Sequence, residues 1–236
     1  MQRCFKGLIL PCLCLVLFAG TAYAGAMPTP GLGVHISAVV TKNTCGAAAD
    51  FINPFEFNAQ TNELSTPDGP FHFLYLIACN YGYEGGIGGV EFGVSYPGAY
   101  DPSGLARPIC VFQWTLCADL EFPSTGWPNS GGGNIITWSV ANCGPESPPD
   151  EYLIFKTVGF FYLGAYGISE FGVTPRPVTG RFKLANCDGV ETDYTNSWST
   201  RGMAGFGFPT DWWWGCMSEP LPTKDTTWGQ VKNLYR

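Results

Sequence analysis

Histidine is nearly missing from this chain of 236 residues, which has only His35 and His72. Charged residues make up 13% of it, about half the share of an average domain. No two cysteines stand in a CxxC spacing, and HExxH, GxxxxGK[ST] and a GxGxxG after a strand are all absent. Those gaps argue against a zinc site, a zinc protease, a P-loop and a dinucleotide fold. GVSYPG lacks the second glycine of G-x-S-x-G, and GISEFG puts Glu170 and Phe171 where that motif wants any residue and then glycine. A nucleophile elbow is therefore not expected. His72 sits inside an apolar run, PFHFLYLIA, where a satisfied structural histidine is the ordinary outcome. Beyond the N-terminal leader no apolar run reaches the roughly 20 residues of a membrane-spanning helix.

That leader reads MQRCFKGLILPCLCLVLFAGTAYAGA, with Arg3 and Lys6 ahead of an apolar stretch and Ala22-Tyr23-Ala24 as a small-residue cleavage site. It predicts a signal peptide over residues 1–24, removed before Gly25. Thr21 stands where a lipoprotein would need cysteine, so no lipid anchor is expected. The chain is thus expected to be secreted or displayed at the cell surface, with the periplasm as an alternative. Its net charge is -7, and losing Arg3 and Lys6 leaves the remainder more acidic still. Such a chain repels nucleic acid and anionic lipid, and neither is an expected partner.

Outside the leader stand Cys45, Cys79, Cys110, Cys117, Cys143, Cys187 and Cys216. In an exported chain this many cysteines predicts disulfides. The number is odd, which leaves one thiol buried and free or paired with another chain.

Alternation with a period of two dominates what remains. In GGVEFGVSYPG, Val90, Phe92, Val94 and Tyr96 share one face, while Glu91, Gly93 and Ser95 share the other. Strands are also predicted over 33–41, 70–78, 109–116, 118–122, 134–140, 151–166 and 181–186. The segment 151–166 is apolar on both faces, so it is either a central strand covered on both sides or two strands bent at Gly159. Gly and Pro clusters separate the runs. The pattern predicts an all-β fold: an antiparallel β-sandwich of Ig-like, cohesin-like or jelly-roll type over residues 25–216. After Cys216 comes a Pro-containing linker, and residues 217–236 form a tail. In TTWGQVKNLYR, Thr227 and Gln230 have capping-box spacing, and Trp228, Val231 and Tyr235 fall near one face of a short amphipathic helix. That face could dock on the sandwich or serve a partner.

One hairpin can be placed in register. If SGGG at 130–133 is the tip, Phe122 faces Trp138, Leu120 faces Val140 and Cys117 faces Cys143. The predicted disulfides are therefore Cys117–Cys143 and, as a second pair late in the chain, Cys187–Cys216.

Candidate sites follow from the remaining residues. In DWWWGC, Trp212 and Trp214 share parity with Phe206 and Phe208, while Trp213 lies on the small, polar face where it could stack on a ligand. Trp127, in the glycine-rich loop GWPNSGGGN, either binds or plugs the sandwich end. Asn186, Asp188, Glu191 and Asp193 surround a glycine turn and offer hard oxygens for calcium, the one cofactor considered; an acidic turn without metal is the alternative. Asp119 and Glu121 lie two apart on one strand and are the only carboxylate pair considered for glycoside hydrolysis.

The run VFQWTLCADLEFPSTGWPNSGGGNIITW, with GGVEFGVSYPG and the terminal TTWGQVKNLYR, resembles a group of secreted bacterial proteins of unknown function. GGVEFGVSYPG also resembles the strand opening of cohesin-like extracellular modules, which bind partner domains. The first resemblance implies no activity; the leader, the cysteines and the missing catalytic motifs together give the expectation of an exported, non-catalytic binding or scaffolding module whose partner is an extracellular protein or a glycan. A carbohydrate-binding module using exposed aromatics, or a glycoside hydrolase, are the alternatives.

Overall fold

The computed structural model describes residues 30–39, 45, 58–81, 85–144 and 153–208. The leader 1–24, Trp213, Cys216 and the tail with Trp228, Val231 and Tyr235 lie outside the described residues. In chain order the strands are β1 (Pro30–Ala38), β2 (Gln60–Thr61), β3 (His72–Tyr81), β4 (Gly89–Ser95), β5 (Gly98–Tyr100), β6 (Ile109–Leu116) and β7 (Leu120–Glu121). There follow β8 (Gly133–Thr137), β9 (Leu153–Ala165), β10 (Ser169–Thr174), β11 (Lys183–Ala185), β12 (Glu191–Asp193) and β13 (Met203–Phe206).

They form two sheets. The first has the order β1-β3-β9-β6-β5. In the second, β4 is the branch point: β8 and then β7 lie on one side, while β11 and β10 share the other. Pairing is antiparallel except for β5 with β6 and β2 with β13, which are parallel. The fold is thus a β-sandwich with mixed sheets rather than purely antiparallel ones.

The period-two pattern explains the main core. Val90, Phe92, Val94 and Tyr96 all point inward and are buried, against Leu74, Leu76, Phe161 and Leu163 of the first sheet. Each such side chain removed from water contributes roughly 1.5–3 kcal/mol. A second apolar cluster, built on Phe73, Tyr75, Ile77, Phe155 and Phe160, covers the outer face of the first sheet.

β9 shows how one strand can be apolar on both faces. It is a single strand with β3 on one side and β6 on the other. Its register steps from Leu76↔Gly159 to Ile77↔Thr157, so Val158 is an extra residue. That bulge reverses the parity of the side chains. Phe155 and Phe160 therefore both reach the outer cluster, while Val158, Phe161 and Leu163 face the sandwich. Gly159 sits beside the bulge, where an added Cβ would run into the Trp114 ring and the Thr115 carbonyl.

The hairpin register differs from the expected one. Leu120 faces Thr137 and Glu121 faces Ile136, a shift of three residues from the pairing of Leu120 with Val140. An odd shift turns the strand over. Leu120 and Phe122 are each 51% exposed, and Glu121 points inward. The loop causes this, because it folds on itself instead of extending to a tip at Ser130. The Ser124 hydroxyl donates to the Gly133 carbonyl at 2.9 Å and accepts from the Gly133 N–H at 2.8 Å. Trp127 and Asn129 N–H groups close further turns onto Ser124 and Gly126.

The disulfides change with the register. Cys117 bonds to Cys45, with Cα atoms 5.4 Å apart, and Cys143 bonds to Cys187, with Cα atoms 5.6 Å apart. Both expected pairs, Cys117–Cys143 and Cys187–Cys216, are therefore corrected. Cys79 is disulfide-bonded too. Cys110 is free and fully buried.

Candidate functional site

Trp127 is a wedge between the sheets. Its ring meets Phe92 and Trp114 edge to face and Phe161 at a tilt, with centroids 5.5, 5.1 and 5.7 Å away. It is half-buried, and these contacts fit the alternative in which it plugs the sandwich end. Trp213, the other aromatic candidate, lies outside the described residues.

The carboxylate pair is occupied with structure. Glu121 accepts from the Trp114 indole N–H at 3.1 Å and from the Asn134 amide at 2.7 Å. Asp119 lies before the strand and accepts from the Ser139 N–H at 2.6 Å and the Asn142 amide at 2.8 Å. Those hydrogen bonds hold its carboxyl below the usual carboxylate range. Between them the two side chains tie β7 to β6, to β8 and to the turn after β8.

Both histidines are core groups. His35 Nδ1 accepts from the Asn58 N–H at 2.9 Å, which places the imidazole proton on Nε2. Burial holds its pKa down at about 4. His72 packs against Phe206 with ring centroids 5.6 Å apart, and its buried Nε2 has no hydrogen-bond partner among the described residues. Burial lowers its pKa as well, with partial opposition from Glu63.

The residues considered for calcium do not share a ligand sphere. Asn186 is buried, and its Oδ1 accepts from the N–H groups of Asp188 and Val190 at 3.0 and 2.9 Å. That arrangement is an Asx turn, completed by Gly189 at φ +77°. Glu191 pairs with Lys183 at 2.7 Å, and Asp193 accepts from the N–H and hydroxyl of Thr195. Among the described residues no group of three or more His, Cys, Asp or Glu side chains is placed to hold a metal.

The exposed features lie elsewhere. Across the outer face of the second sheet, Gly172 stands between Ser95 of β4 and Met203 of β13. With no side chain at Gly172, this row forms the floor of a shallow groove, also lined by Pro97, Ile168, Glu170 and Phe208. Ile168 is 63% exposed and Met203 37%. β13 ends at Phe206, and Gly207 at φ +74° breaks the alternation, so that Phe208 lines the groove instead of following Phe206 into the core. The sequence reading missed β10, because GISEFG was weighed only as a failed catalytic elbow. The alternation of Ser169, Phe171 and Val173 against Glu170, Gly172 and Thr174 was the available signal. Trp198 was also missed. It stands 71% exposed in a short 3-10 turn over Trp198–Thr200.

Among the described residues no helix is long and apolar enough to cross a membrane. No protein-family model matches the chain, and no curated protein matches it. Among solved structures it is similar to a cohesin module from a Clostridium perfringens ATCC13124 family 33 glycoside hydrolase. The identity is 9%, the TM-score 0.34, and the match covers 74% of this chain and 97% of that one. A superposition of that quality carries no argument about partner or activity.

Proposed function

We propose that this chain is an exported, non-catalytic binding module that recognises an extracellular protein through the outer face of β4, β10 and β13. The observation that carries the reading is the groove floored by Gly172. Ile168, Met203 and Phe208 supply apolar contact on a rigid strand platform, and Glu170 places one carboxylate among them. Exposed apolar side chains gathered around a flat floor mark interaction surfaces more often than scattered ones do. The lone carboxylate sets the partner chemistry, namely an apolar segment carrying one basic side chain. Export is supported by the leader's pattern and by the disulfides Cys45–Cys117 and Cys143–Cys187. The non-catalytic reading is supported by the structural employment of Asp119, Glu121, His35 and His72.

The test compares the wild type with Gly172→Arg and Val140→Arg as baits in the extracellular fraction of the producing cell. A Cβ at Gly172 would meet only the Ser95 carbonyl, at 3.9 Å, so the arginine fits the fold and fills the groove. Val140 is 83% exposed and lies after β8, away from the groove lining. The expected result is one protein retained by the wild type and by Val140→Arg and lost with Gly172→Arg. Equal retention by all three, or by none, would count against the reading.

A further inference from the structure

Cys79 of β3 is disulfide-bonded, and counting leaves one partner for it. Cys45 is joined to Cys117 and Cys143 to Cys187, and Cys110 is free. Of the seven cysteines outside the leader only Cys216 remains. The leader's own cysteines, Cys4, Cys12 and Cys14, precede the expected cleavage site.

The face around Cys79 calls for a cover. Cys79 stands with Tyr75, Ile77, Phe155 and Phe160 on the outer face of the first sheet, and each of the five is at most 1% exposed. A sheet face that meets water is polar, whereas one this apolar is covered by another layer. Among the described residues, Cys45, Cys117 and Tyr162 pack on this cluster, from its β6 and β9 side. On the β1 side, Gly31 pairs with Cys79 and Gly33 with Ile77, so both glycines share the outer face and put no side chain on it. Both are buried all the same. Bare, buried backbone beside large apolar groups marks a place where another segment comes close.

The chain is long enough to supply that segment. Arg201 bridges Leu32 in parallel just before β13 begins. The Ile36 N–H donates to the Asn58 carbonyl at 2.7 Å and the Gly205 N–H to the Ala59 carbonyl at 2.8 Å, which sets Gly205 level with the Ile36 end of β1. Gly31 and Cys79 lie at the other end of β1, about 17 Å back at the rise of a strand. From Phe206 to Cys216 the extended chain spans up to roughly 33 Å. That length suffices to turn and return along β1.

We infer that Cys79–Cys216 is the third disulfide and that residues 212–216 lie extended over Gly31 and Gly33, with Trp212 and Trp214 turned inward. The orientation follows from parity. Side chains two apart in a strand share a face, and Cys216 has to point at Cys79, so Trp214 and Trp212 point at the sheet with it. Trp213 alone of the three faces outward. Tryptophan favours extended backbone and buries a large area, so the pair suits a cover for Tyr75, Ile77 and Phe155. This face lies on the side of the sandwich away from the Gly172 groove, and neither proposal depends on the other.

The experiment digests the full chain, as released by its producing cell, without reduction and maps its linkages by mass spectrometry. Expected is a peptide joining Cys79 to Cys216 that separates on reduction. Cys216 recovered as a free thiol, or joined to any other cysteine, would overturn the inference. Hydroxyl-radical footprinting of the same wild-type protein reads the orientation: Trp213 should be oxidised several-fold faster than Trp212 and Trp214. Substitution gives the matching contrast. Trp212→Ala and Trp214→Ala should each lower the thermal midpoint by about 5 °C or more, and Trp213→Ala by less than about 2 °C. Equal oxidation of the three indoles, or a Trp213→Ala loss as large as the other two, would overturn the orientation. Both wild-type readouts stand whether or not every variant folds.

Discussion

Trp127 meets Trp114 edge to face, with ring centroids 5.1 Å apart and planes at 85°. Through this contact a loop residue from the second sheet locks onto β6 of the first. Trp127→Ala should therefore lower stability by about 3 kcal/mol, the low end for deleting a large aromatic. Urea unfolding measures this. A change under about 0.5 kcal/mol, typical of a surface substitution, would contradict the packing role.

The bulge beside Gly159 makes a second prediction. A methyl group there has no room between the Trp114 ring and the Thr115 carbonyl. Gly159→Ala should cost on the order of 1–3 kcal/mol. An alanine at Gly172, where the nearest neighbour is 3.9 Å away, should change little by comparison. Thermal melts of the two variants give the contrast directly.

Non-reducing peptide mapping should recover Cys45 linked to Cys117 and Cys143 linked to Cys187. Cys110 should resist alkylation in the native protein and react in denaturant, because it is fully buried. A recovered Cys117–Cys143 peptide would contradict the observed register of β7 on β8.

Stability should depend on pH through His35. Its pKa falls from 6.5 to about 4 on folding, so between those values the unfolded chain binds more protons than the folded one. Stability is then complete above about pH 6.5 and declines as the pH falls towards 4. The lowering corresponds to roughly 3 kcal/mol at the acid end. His72 is lowered in the same direction and adds to the decline. His35→Gln should flatten the profile of unfolding free energy against pH over this window. An unchanged slope would assign the acid sensitivity to other groups.

Much of the architecture was legible because period-two alternation reports one buried face. β6 falls where it was expected, over Ile109–Leu116, and the inward set Val90, Phe92, Val94 and Tyr96 is buried. The apolar doubling of 151–166 left a strand covered on both faces and two strands bent at Gly159 equally open, and the bulge at Val158 that sends Phe155 and Phe160 to the same side was not legible. Hairpin register was not legible, because it depends on how residues 123–132 fold, and Ser124, Trp127 and Asn129 close turns that no alternation encodes. Once the register moved by three, Cys117 and Cys143 had no reason to meet. The short parallel pairs, β5 with β6 and β2 with β13, are two or three residues long and leave almost no pattern. The groove was missed for a related reason: its floor is Gly172, a residue without a side chain.

The central claim is that the face of β4, β10 and β13 engages a protein partner. It is tested most directly by placing a photo-cross-linking residue at Met203, with Val140 as control, in the full chain expressed by its native cell. The account predicts one discrete adduct from Met203 and none from Val140. No adduct at Met203, or the same ladder of products from both positions, would contradict it.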